Sequence, residues 1–97
     1  MTVRTIVLDG GLMTDREAAH GYLSRRLDLP DYYGKNLDAL FDILSADLTE
    51  PTRLVVYRRE ALAQSLGSYG EALLGALADA ARENPCLEVA FDSGGEP

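Results

Sequence analysis

Three short apolar runs constrain this chain more than any other feature. Val3–Leu8, Leu54–Tyr57 and Leu87–Phe91 are rich in branched side chains, as strands are. Each pair of runs is separated by a long stretch whose apolar residues recur at helical spacing. Strands joined through helices cannot form hairpins, so the sheet they build is parallel, with right-handed crossovers. The expected fold class is α/β: a three-stranded parallel sheet packed against helices, in the order β-α-α-β-α-α-β.

Punctuation along the chain divides the helical stretches. Asp9-Gly10-Gly11 turns the chain after the first run. Thr14 and Glu17 have capping-box spacing for a first helix, along which Ala19, Tyr22, Leu23 and Leu27 face inward; Pro30 closes it. Asn36 is a good N-cap for a second helix over roughly residues 37–46. Pro51 precedes the second strand, and a weak helix is expected around Glu60–Leu66. Ser68 and Glu71 repeat the capping-box spacing and open a longer helix running to about Asn84, with Leu73, Leu74, Leu77, Ala80 and Ala81 inward, until Pro85. Residues 1–92 read as one domain and residues 93–97 as a frayed tail.

Composition narrows the function. With 9 basic and 16 acidic residues the net charge is −7, which opposes binding to nucleic acid or an anionic membrane and favours a basic partner. Cys86 stands alone, so the fold closes no internal disulfide; it reads as a small buried hydrophobe beside a strand. His20 is the single histidine, too little for a Cys/His zinc site, and no metal or other cofactor is expected. It reads as a packing or surface histidine at the edge of the first helix. The N-terminal apolar run is too short for a secretory signal, and no stretch approaches the ~20 residues that span a bilayer. A cytoplasmic protein is expected, and nothing demands a dimer.

The informative segment is Leu29–Ala46, LPDYYGKNLDALFDILSA. Leu37, Leu40, Phe41 and Leu44 form an apolar stripe for the core, while Asp38, Asp42 and Ser45 form a separate polar stripe along one edge. Asp38 is favoured by the helix dipole in the first turn. Asp42 lies one turn above a like charge, which costs about 0.2–0.5 kcal/mol. Of Tyr32 and Tyr33, one ring is expected beneath the loop and the other exposed as an amphipathic contact.

The stretch LPDYYGKNLDALFD resembles the signature of the barstar family, intracellular inhibitors of the secreted ribonuclease barnase, and a weaker likeness extends over nearly the whole chain. The resemblance implies a protein without catalytic activity that plugs a ribonuclease active site with its second helix and the preceding loop. It implies that Asp42 enters the phosphate-binding pocket, that Asp38 pairs with an arginine at the pocket edge and that Tyr32 packs on the catalytic histidine. Gly34, Asn36, Leu37 and Ser45 would complete the contact surface. Phe41 stands where the family carries a tryptophan. Asp79, on the last helix, lines up with a peripheral acidic contact, as Asp in place of Glu. Asp47 replaces another tryptophan and Lys35 an acidic residue, which suggests the same class of target with a different cognate enzyme. The implied partner is a small basic guanyl-type microbial ribonuclease, bound one-to-one. An acidic interaction module for another basic protein is the alternative.

Other chemistries fit less well. Asp38 and Asp42 as a glycosidase pair would lie on an exposed helix edge, without the desolvation that separates acid from base. Asp38, Asp42 and Asp47 would make a loose divalent-cation site. Gly34-Lys35 is no phosphate loop, since Leu29 stands where the first glycine belongs and Asn36 where a Ser or Thr does. Arg25-Arg26 and Arg58-Arg59 read as solvated charges.

Overall fold

β1 (Arg4–Asp9), β2 (Thr52–Tyr57) and β3 (Leu87–Asp92) form one parallel sheet in the order β1-β2-β3 in the computed structural model, which describes residues 3–92. Between the first two strands lie α1 (Arg16–Leu27) and α2 (Leu37–Asp42), and between the last two lie α3 (Arg59–Leu66) and α4 (Ser68–Glu83). The α/β order expected from the sequence is the order observed. The expected tail at 93–97 lies outside the described residues.

Register assigns the two faces of the sheet. Ile6 aligns with Leu54 and Val89, and Leu8 with Val56 and Phe91. Ile6, Leu8, Leu54, Val56 and Leu87 are buried against Ala19 and Leu23 of α1, Leu40 of α2, Leu62 of α3 and Leu73, Leu77 and Ala80 of α4. The opposite face presents Thr5, Val7, Arg53 and Glu88 to solvent. Parallel sheets are usually covered on both faces and read as continuous apolar runs. One open face explains why Leu87–Phe91 instead alternates apolar with polar or small residues.

The helix ends correct several sequence expectations. Asp15, not Thr14, caps α1, accepting from the Ala18 N–H at 2.8 Å. The three-residue spacing is kept, and Asp outranks Thr at this position. Ser68 and Glu71 form no capping box. Gly67, at φ 60°, turns α3 directly into α4, and its carbonyl accepts from the N–H groups of Gly70 and Glu71. A positive φ is accessible to glycine at little cost. The α-helical hydrogen bonding of the second helix stops at Asp42, and the expected remainder is a widened π turn over Ile43–Asp47, closed by Leu48 N–H to Ile43 C=O at 3.1 Å. Cys86 is half-buried rather than buried, its thiol directed at the Thr49 carbonyl. Arg58 is no free solvated charge: its guanidinium grips both carboxylate oxygens of Asp9, at 2.8 and 2.6 Å, tying the end of β1 to the start of α3. That grip, and the Gly11 N–H, hold the Asp9 carboxyl below its usual pKa although partial burial opposes them.

Candidate partner-binding site

The candidate site is built on α2 and the loop before it. Asn36 caps the helix, its Oδ1 accepting from the Ala39 N–H at 2.7 Å while its Nδ2 donates to the Gly34 carbonyl at 3.3 Å. The residue expected as a contact thus also fixes the loop-to-helix corner, with Lys35 between them at φ 57°. Leu40 and Leu44 are buried as expected, and Ile43, which the apolar stripe did not include, is buried with them. Ile43 and Leu44 fill the core side through the π turn, and with Leu40 they anchor the segment along its length.

That anchoring leaves one edge for solvent. Asp38 and Asp42 are exposed one turn apart, and Ser45 is half-exposed above them, its hydroxyl 3.4 Å from the Asp42 carbonyl. Among the described residues neither aspartate forms an ion pair, nor does Asp47. Their charge is therefore available to a partner. Leu37 and Phe41 are half-buried at the margin of the same edge, and Gly34 is exposed in the loop.

The two tyrosines part as expected. Tyr32 is 73% exposed and donates its hydroxyl to Asp47 Oδ2 at 2.9 Å. Tyr33 is buried, and its hydroxyl is hydrogen-bonded to His20 Nδ1. The other ring nitrogen of His20 meets the Tyr69 hydroxyl of α4 at 2.6 Å. His20 is thus a buried bridge, not a surface residue, and it ties the loop to two helices. Burial, followed by the charge of Lys35, pushes its pKa below 6.5, so the neutral ring accepts on one nitrogen and donates on the other. Burial and the adjacent Tyr69 push the Tyr33 phenol up to about 12. His20 and Tyr69 are site-supporting residues that sequence reasoning missed; the pairing spans 49 positions, beyond any local pattern.

Asp79 comes to the site through packing of α4 on α2. A groove of about 450 Å³ runs between these helices, lined by Leu37, Phe41, Ala72, Gly75 and Ala76 together with Asp38 and Asp79. Asp79 is exposed and paired with Arg82 one turn along α4. On the other side, a hollow of about 510 Å³ is lined by Arg16, His20, Lys35 and Tyr69 and again by Leu37 and Asp38. Leu37 and Asp38 therefore line both depressions.

Among the described residues no three Asp, Glu, His or Cys side chains are gathered to hold a cation, and no helix is long and apolar enough to cross a membrane.

Residues 3–92 match the family described as Barstar (barnase inhibitor). The chain is also similar to the "Putative ribonuclease inhibitor YrdF" of Bacillus subtilis (strain 168), with 40% identity over 81 residues, which cover 84% of this chain and 89% of that protein. A family match across all three strands, a relative of nearly equal extent and the parallel β-α-α-β-α-α-β order agree on one lineage: the chain belongs to the barstar family.

Proposed function

We propose that this protein is a one-to-one inhibitor of a small basic guanyl-type microbial ribonuclease, with no catalytic activity of its own. The observation that carries this reading is the pair of exposed carboxylates of Asp38 and Asp42, without an ion-pair partner among the described residues and one turn apart on a helix whose other side is locked into the core. A ribonuclease cleft is basic because it holds a phosphodiester. Carboxylates at this spacing accept the same charge-assisted hydrogen bonds from Arg and Lys, and they offer no bond to cleave.

In this reading Asp42 occupies the phosphate pocket. Asp38 pairs with an arginine whose stem lies along Leu37 and Phe41 in the α2–α4 groove, within reach of Asp79. Tyr32 stacks on the catalytic histidine, while Gly34, Asn36, Leu37 and Ser45 close the rim. A net charge of −7 draws the basic enzyme in from a distance. The free protein acts as a monomer in the cytoplasm.

Titration of the purified protein against a panel of guanyl-type ribonucleases tests the reading. Full inhibition at a single equivalent is expected. A panel wholly unaffected at micromolar protein would overturn it.

A further inference from the structure

The hydrogen bond between Tyr32 and Asp47 joins two residues 15 positions apart. Tyr32 belongs to the loop before α2, and Asp47 ends the π turn after it. Both line one cavity of about 400 Å³, whose floor includes Leu29, Ile43, Leu44 and Leu48. Tyr32 therefore has solvent around most of its surface and open space beside its ring, not a packed bed of side chains. With so little of it covered, packing constrains its rotamer only weakly. Among the described residues, Asp47 is the one side-chain partner of its hydroxyl.

We infer that Asp47 is a positioning residue for Tyr32. Its carboxylate holds the exposed ring in one orientation, so that the contact is set before a partner arrives. This rests on the inhibitor reading for its purpose, though not for its geometry. The physical gain is entropic: an unsupported aromatic side chain is immobilised on binding at a cost, and a side chain already held avoids that cost. The bond also commits the phenol hydrogen, leaving the ring face and the oxygen lone pairs for the partner. Consistent with this, the carboxylate beside it pushes the Tyr32 phenol pKa above its ordinary value, first through the hydrogen bond and then through its charge.

The test has an arm that needs no partner. Ring-labelled tyrosine spectra are followed with pH, the Tyr32 signal being identified by its loss in Tyr32→Phe. In the unmodified protein Tyr32 should ionise above the usual value of about 10 and show one dominant χ1 rotamer. In Asp47→Ala its ionisation should return towards that value and its rotamers should average. An unchanged Tyr32 titration and rotamer in Asp47→Ala would overturn the assignment.

The second arm measures affinity for an inhibited ribonuclease at about 0.5 M salt, where long-range steering is screened. Tyr32→Phe and Asp47→Ala should each weaken binding about three- to tenfold, and the double variant by no more than either alone. Asp47→Asn keeps an acceptor oxygen and should restore most of the affinity. Additive losses, or an Asp47→Ala protein that binds as tightly as the parent, would overturn the positioning role. If the parent protein inhibits no ribonuclease, the inhibitor reading fails, and the spectra still decide whether Asp47 holds Tyr32.

Discussion

Asn84 reaches back 40 positions to bond the Leu44 carbonyl, its Nδ2 donating at 2.9 Å. The same amide donates to Leu48 C=O at 2.9 Å, and the Asn84 Oδ1 accepts from the Cys86 N–H at 2.9 Å. In the π turn the Leu48 N–H bonds the Ile43 carbonyl in place of the Leu44 carbonyl, and the buried Asn84 amide takes up the freed Leu44 carbonyl together with that of Leu48, just past the turn. The edge that carries Asp42 and Ser45 thus hangs from the turn between α4 and β3.

Replacing Asn84 with Ala leaves those carbonyls without a donor in a buried setting. We expect a loss of about 2–3 kcal/mol in urea-denaturation stability. Faster amide exchange should be confined first to residues 43–48. An Asn84→Ala protein of unchanged stability would mean that water takes over the role at no cost.

His20 makes stability depend on pH in a defined window. Its folded-state pKa lies below 6.5, so the unfolded chain takes up the proton first. The contribution of neutral His20 is therefore full above pH 6.5, drains as pH falls through 6.5 towards the folded-state value, and is absent below it. Melting temperatures measured from about pH 7.5 to 5 should fall more steeply in the parent than in His20→Gln, whose amide can still bridge Tyr33 and Tyr69 without titrating. Parallel curves for the two proteins would show that the histidine is not the titrating group.

Asp42→Ala should separate binding from folding. If Asp42 enters a basic pocket, its loss leaves the enzyme's cations desolvated and unpaired, and inhibition should weaken by at least about 3 kcal/mol, more than a hundredfold. The free protein should be unchanged or more stable by a few tenths of a kcal/mol, because the carboxylate sits one turn above Asp38 and at the unfavourable end of α2. Calorimetric melting and an inhibition titration on one variant measure both. Lost stability with intact inhibition would make Asp42 a structural residue.

Two glycines should respond oppositely to alanine. A Cβ at Gly10 would lie 2.3 Å from the Arg58 carbonyl oxygen, so backbone must move; Gly10→Ala should cost more than about 2 kcal/mol. A Cβ at Gly75 meets nothing within 4 Å on α4, so Gly75→Ala should stabilise by about 0.5–1 kcal/mol. Gly75 also lines the groove between Asp38 and Asp79, so the same variant should weaken partner binding while raising the melting temperature. Denaturation curves and inhibition titrations on both variants check this.

Much of the architecture was legible because it is written in near-neighbour spacing. Branched apolar runs set apart by helical periodicity dictate parallel strands, and the i, i+3, i+4 pattern of Leu37, Leu40, Phe41 and Leu44 fixes which edge of α2 shows Asp38 and Asp42. One buried and one exposed tyrosine follow from the same loop. Tertiary structure alone decided the rest. Asp79 joins Asp38 in one groove only because α4 packs on α2. Tyr32 meets Asp47 across 15 positions, His20 meets Tyr69 across 49, and Asn84 supports the π turn across 40. Each of these is a hydrogen bond whose partners are chosen by how elements pack, whereas the shift of the α1 cap from Thr14 to Asp15 leaves Ala19 and Leu23 buried as their spacing requires. Local periodicity determines which face a residue occupies, whereas which residues meet across faces is settled only when the core closes.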